Sequence, residues 1–159
     1  MDIYAYAMQM EKDGEQLYRE LAQETRNTGL RNIFIMLADA EVGHYNTFKK
    51  LKTHEKVDLP DTMITTDVKN IFVKIREAKE ISNLDISQVN LYRKAQEIEK
   101  RSEEFYIVKG NEVDDEAQRN MFRKIADEEH KHFSILESIV DFVSRPEQWL
   151  ENSEWYDLE

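Results

Sequence analysis

The chain contains no cysteine. That excludes a disulfide framework, an iron–sulfur cluster, a rubredoxin-type iron site and a catalytic thiol. Glycine and proline are scarce, four and two in 159 residues, so few positions interrupt a helix. Positive charge is also short: 33 acidic against 22 basic residues leave a formal charge of −11. Such a surface repels phosphate backbones and anionic membranes, and excludes nucleic acid as a partner. No window approaches 18 uninterrupted apolar residues, and the opening MDIYAYAMQMEKD has no basic segment followed by an apolar one. Neither a membrane span nor an export signal is read, and the expected setting is the cytoplasm.

The residues that are plentiful favour helix. Charged residues make up 35% of the chain, and Glu, Lys, Leu, Ala, Gln and Arg dominate it. A chain of this length fits one domain. Asp2 caps an expected helix to about Thr25, and Asn27-Thr28-Gly29 forms the turn that ends it. A second helix is expected from about Leu30 to His54. The segment KVDLPDTMITT loses the periodicity, after which Asp67 caps a short connecting helix. A third long helix opens at Asp85 or Ser87 and stops at Gly110-Asn111, and a fourth runs from about Asp114 to Val143. The predicted fold is all-α: an antiparallel four-helix bundle over residues 1–145, with a long crossover at about 55–85 between its second and third helices. Residues 146–159 form a short C-terminal extension whose Trp149, Trp155 and Tyr156 are expected to pack on the bundle or on a partner subunit.

Phe34, Leu37, Glu41, His44, Phe48 and Leu51 follow one another at spacings of three and four, the mark of a buried helical seam. Phe122, Ile125, Glu129, His132, Leu136 and Ile139 repeat those spacings, again with Glu and His in the middle. Met8, Glu11, Glu15, Tyr18 and Ala22 line the first helix, and Tyr92, Ala95, Glu99, Ser102 and Tyr106 the third. The halves are related by a constant offset of 88 residues: MEKDGEQLY at 10 matches IEKRSEEFY at 98, and LADAEVGHY at 37 matches IADEEHKHF at 125. The chain reads as a duplicated helix pair. Glu11 falls on Glu99, Tyr18 on Tyr106, Glu41 on Glu129 and His44 on His132.

Four carboxylates facing one another in a core need neutralising, because each unpaired buried charge costs several kcal/mol. No basic residue recurs on the inward stripes. Two divalent cations balance four carboxylates, and two imidazoles complete the coordination without adding charge. Glu and His at i and i+3 share a helix face and can reach a common centre. The pattern of one Glu from each of two helices and Glu-x-x-His from each of the others is that of di-iron and di-manganese carboxylate bundles. Glu11, Glu41, His44, Glu99, Glu129 and His132 are therefore the candidate ligands of two metal ions, iron first and manganese as the other option. Tyr18 and Tyr106 are placed to hydrogen-bond to ligand carboxylates. Glu15 and Glu103, one turn beyond the inward Glu, are read either as further ligands or as partly exposed charges. His54 and His130 are read as surface residues.

With A-x-x-x-E at Ala7 to Glu11 and at Ala95 to Glu99, A-E-V-G-H at Ala40 to His44 and E-E-H-K-H at Glu128 to His132, the chain resembles the ferritin-like superfamily, and within it the helical domain of the rubrerythrins. The likeness spans roughly Asp2 to Phe142. It implies that Glu41 and Glu129 bridge two irons, with Glu11 and His44 completing one site and Glu99 and His132 the other. It also implies an oxidoreductase acting on peroxide or oxygen in the response to oxidative stress. Two departures stand out. There is no cysteine-ligated electron-delivering module, so reducing equivalents come from a separate donor protein. Gln96 also stands where typical rubrerythrins carry an additional metal-binding Glu. The expected assembly is a homodimer. An iron-storing protein is the alternative, requiring a large closed shell, and a non-catalytic helical interaction module is the second.

Overall fold

The computed structural model describes residues 2–59 and 62–151. Pro60, Trp155 and Tyr156 lie outside them. The described residues form helices α1 (Ile3–Glu24), α2 (Thr28–Lys52), α3 (Ile64–Ala78), α4 (Val89–Glu112), α5 (Glu116–Ser144) and α6 (Pro146–Glu151), with a 3-10 turn at Ile86–Gln88 before α4. α1 packs chiefly on α2 and α4 on α5, and the two hairpins close into a four-helix bundle. α3 crosses between them against α2 and α5. No described helix is long and apolar enough to cross a membrane.

The duplication extends to the hairpin turns. Asn27 caps α2 by accepting from Leu30 N at 3.1 Å, and Asp115 caps α5 by accepting from Gln118 N at 3.0 Å. Each satisfies one of the backbone donors left free at a helix start. Arg31 donates to Thr25 O, and Arg119, its counterpart, donates to Val113 O.

Three element boundaries differ from the sequence reading. Thr28 and Gly29 belong to the first turn of α2, not to a turn before it. Gly29 is glycine because α3 lies close: an added Cβ would fall 2.7 Å from Ile75 Cδ1. α3 begins before Asp67, which sits in its first turn where the helix dipole favours a carboxylate; Ile64 N donates instead to Thr62 Oγ1. Gly110 does not stop α4, which continues to Glu112. There a Cβ would come 2.8 Å from the Cβ of Phe122, so the glycine answers a helix–helix approach.

The core is split. One apolar cluster holds Tyr18, Phe34, Leu37, Phe72, Ile135, Ile139 and Phe142, among others; the second holds Ala7, Phe48, Leu51, Tyr106, Phe122 and Ile125. Trp149 of α6 is buried against Phe72 and Phe142, with ring centroids 4.9 and 4.6 Å away. Between the clusters lies a layer of buried polar side chains.

Candidate metal centre

Each long helix of the bundle delivers its inward polar residues to that layer. Glu11 comes from α1, Glu41 and His44 from α2, Glu99 from α4, and Glu129 and His132 from α5; none is more than 3% exposed. Their positions follow from helical geometry, since i and i+3 on one face converge on the same depth of the bundle.

The six side chains form two overlapping groups. Glu11, Glu41, His44 and Glu129 each offer an atom within 4.8 Å of the others, and so do Glu41, Glu99, Glu129 and His132. Glu41 and Glu129 belong to both. His44 Nδ1 lies 2.9 Å from Glu129 Oε1 and 3.5 Å from Glu11 Oε2. His132 Nδ1 lies 3.3 Å from Glu41 Oε1 and 3.3 Å from Glu99 Oε1. The repeat exchanges the two sets: His44 and Glu11 correspond to His132 and Glu99, and Glu129 to Glu41. The two imidazoles are near-parallel, 12° apart with centroids at 5.8 Å.

The tyrosines reach in from opposite apolar clusters. Tyr18 donates to Glu99 Oε1, and Tyr106 donates to Glu11 Oε1 at 2.8 Å. Each hydroxyl thus serves the carboxylate of the other half. Burial, then the adjacent Glu99 charge, pushes the Tyr18 hydroxyl well above its usual range; burial and Glu11 do the same for Tyr106. Both therefore remain donors at neutral pH.

The metal-free electrostatics are divided. Burial pushes Glu41 and Glu129 well above the ordinary carboxylate range, reinforced in both by the Glu11 charge. Burial acts likewise on Glu11 and Glu99, but the His44 charge with hydrogen bonds from Glu41, His44 and Tyr106 outweighs it for Glu11, and the His132 charge with hydrogen bonds from Glu129, His132 and Tyr18 for Glu99, leaving Glu11 lowered and Glu99 at about 2. Protons thus settle on the two shared carboxyls, because four adjacent buried carboxylates cannot all ionise.

This donor set fits two divalent metal ions. Glu11 Oε2, Glu41 Oε1 and Glu99 Oε2 are buried without a hydrogen-bond partner. Buried polar atoms are rarely left so, and carboxylate oxygens gathered in one interior layer are what a cation would complete.

A family model described as Rubrerythrin matches residues 2–140. The chain belongs to the rubrerythrin family. Its bundle is accordingly ferritin-like. Neither the curated proteins nor the solved structures yield a match.

Of the other residues singled out, Glu15 pairs with Arg19 on its own helix at 3.1 Å, and Glu103 pairs with the exposed His130 at 3.1 Å. Neither joins the two donor groups. His54 is exposed at the end of α2 with φ 58°, the left-handed conformation common where helices end. Gln96 is buried, donating to Glu137 Oε2 at 2.7 Å and Phe133 O at 3.3 Å and accepting from Arg93. It is engaged there and lies outside both donor groups.

Glu128 was not anticipated. It is 4% exposed, with Lys131 Nζ 3.6 Å away, and it adds negative charge near His44. Its counterpart in the first half is Ala40. It stands one residue off the inward stripe, and the sequence signal was the Lys three positions on.

Proposed function

We propose that this protein is a di-iron oxidoreductase that reduces peroxide or oxygen with electrons from a separate donor protein. The reading is carried by one observation: two overlapping groups of carboxylate and imidazole donors that share Glu41 and Glu129 and leave three buried carboxylate oxygens without a hydrogen-bond partner. Glu11 and His44 would hold one ion, Glu99 and His132 the other, and Glu41 and Glu129 both. When bound, a ferrous pair supplies two electrons and open positions for a small oxidant. Reduction of hydrogen peroxide takes two electrons and two protons and yields two waters, so each turnover calls on the donor for two electrons.

The chain's own residues prepare the site for that role. Tyr18 and Tyr106 each fix one oxygen of Glu99 and Glu11, leaving the second oxygen free to coordinate. The apolar clusters close the two ends of the polar layer to bulk water. Gly14 keeps room beside Glu41: a Cβ there would stand 3.2 Å from Glu41 Oε2.

The test is metal analysis followed by anaerobic reduction and rapid mixing with hydrogen peroxide or O2, monitoring the ultraviolet absorption of ferric iron. Two irons per chain that reoxidise faster with peroxide support a peroxide reductase. Preference for O2 shifts the reading to an oxidase or an iron-storing protein. A chain that takes up no metal on reconstitution is neither.

A further inference from the structure

The two halves of the centre are alike inside and unlike outside. Between α1 and α2 a groove with about 310 Å³ of free volume is lined by Glu11, Lys12, Glu15, Glu41, Tyr45 and Asn46, with Val42 on its wall. Two members of the donor set, Glu11 and Glu41, line it, and Glu11 Oε2 and Glu41 Oε1 are both buried without a hydrogen-bond partner. Glu15 is one-third exposed at the mouth.

The repeat shows what stands at the same positions on the other hairpin. Glu103 replaces Glu15, His130 replaces Val42, Phe133 replaces Tyr45 and Ser134 replaces Asn46. There Glu103 and His130 pair across α4 and α5 at 3.1 Å. Val42 gives Glu15 no such partner, and Glu15 turns to Arg19 on its own helix. One face thus pairs its Glu directly across the helices, whereas on the other Glu15 reaches α2 only through Arg19, which also pairs with Asp39 at 2.8 Å, and an oxygen-lined opening lies alongside.

A crevice between α1 and α4 also touches Glu41, Glu99 and Glu129, but it holds only about 10 Å³. We propose that metal ions reach the centre through the wider α1/α2 groove and not across the α4/α5 face, with the side chains of Glu15 and Asn46 as transient oxygen ligands on the way to Glu11 and Glu41. The inference rests on the di-metal reading. A hard divalent cation exchanges water for such oxygens readily. The acidic chain favours its approach, whereas Lys12 at the rim opposes it and sets the sign of a second test.

Because the chain has no cysteine, a single introduced thiol can be labelled selectively after folding. Cobalt(II) uptake is followed by its visible absorption in stopped flow, with the final stoichiometry recorded separately. Asn46→Cys carrying a bulky colourless maleimide should slow uptake by roughly tenfold while the endpoint is unchanged; Ser134→Cys with the same label should load at the wild-type rate. At low salt Glu15→Gln should slow uptake by about threefold, Lys12→Gln should accelerate it, and Glu103→Gln should leave it alone. Unchanged kinetics with the label at 46, or equal slowing with the label at 134, overturns the one-sided route while leaving the di-metal centre standing. Failure of the unmodified protein to bind cobalt at all removes the di-metal reading and the route with it.

Discussion

Tyr18 on α1 donates its hydroxyl hydrogen to Glu99 on α4, and the repeat returns the bond with its ends exchanged, from Tyr106 on α4 to Glu11 on α1. Tyr18→Phe and Tyr106→Phe should each cost about 1–2 kcal/mol of stability in denaturant unfolding, because a buried carboxylate oxygen is left without its donor. Both variants should still bind two metal ions, since the hydroxyls are not among the donors. Loss of metal from either would make the tyrosines ligands and not supports.

Glu41 and Glu129 belong to both donor groups, whereas Glu11 and Glu99 belong to one each. Glu41→Ala or Glu129→Ala should abolish paired-metal binding with helicity largely intact by circular dichroism. Glu11→Ala should leave one ion per chain. Normal metal content in the Glu41 and Glu129 variants would dismiss the ligand assignment.

Stability of the metal-free protein should fall as pH rises from the unfolded carboxyl value of 4.5 through neutrality. Glu41 and Glu129 are raised by burial and the Glu11 charge, so their protonated forms are favoured in the native state. A raised group contributes fully below its unfolded value, 4.5 here, and its contribution is lost as pH climbs through the folded value. Burial pulls His44 down, but the Glu11 charge and hydrogen bond together with the charges of Glu128 and Glu99 outweigh it and leave the imidazole raised above 6.5, acting in the same direction. Glu11 and Glu99 are lowered, so their contribution is already complete above the unfolded value and is lost only in stronger acid. Metal binding displaces protons and should stabilise more as pH rises. Calorimetry with and without chelator measures both trends; a metal-free Tm that climbs across this range contradicts the protonated Glu41 and Glu129.

Glycine is misplaced at two surface positions. Gly43 sits inside α2, where an added Cβ would meet nothing within 4 Å, and Lys79 closes α3 at φ 52°, a conformation glycine adopts freely. Gly43→Ala and Lys79→Gly should each raise stability by about 0.5–1 kcal/mol in the metal-free protein. A destabilised Gly43→Ala would show that α2 needs conformational freedom beside His44.

The long helices and inward stripes were legible because periodicity reports which face is buried, and the 88-residue repeat doubled every signal. What sequence could not show was how close the helices come. Gly29 and Gly110 read as turn residues, since scarcity of Cβ marks a turn and a tight helix crossing alike. The crossed direction of the tyrosine bonds was also hidden: spacing along α1 places Tyr18 two turns from Glu11, but only the packed bundle selects Glu99 as its acceptor. Glu128 escaped because a carboxylate off the stripe is ordinarily solvated, and its burial depends on the neighbouring helix.

The crossed hydrogen bonds tie together two helical hairpins that the crossover joins covalently, so the molecule is built as a dimer of hairpins within one chain. Helix contacts are dense within each hairpin, yet both donor groups and both tyrosine bonds draw on the two hairpins together. Among the described residues, the crossover contributes none to the two donor groups. A chain severed there retains every residue of the centre, divided equally between two fragments, so recovery of metal binding on mixing them would report their reassembly directly.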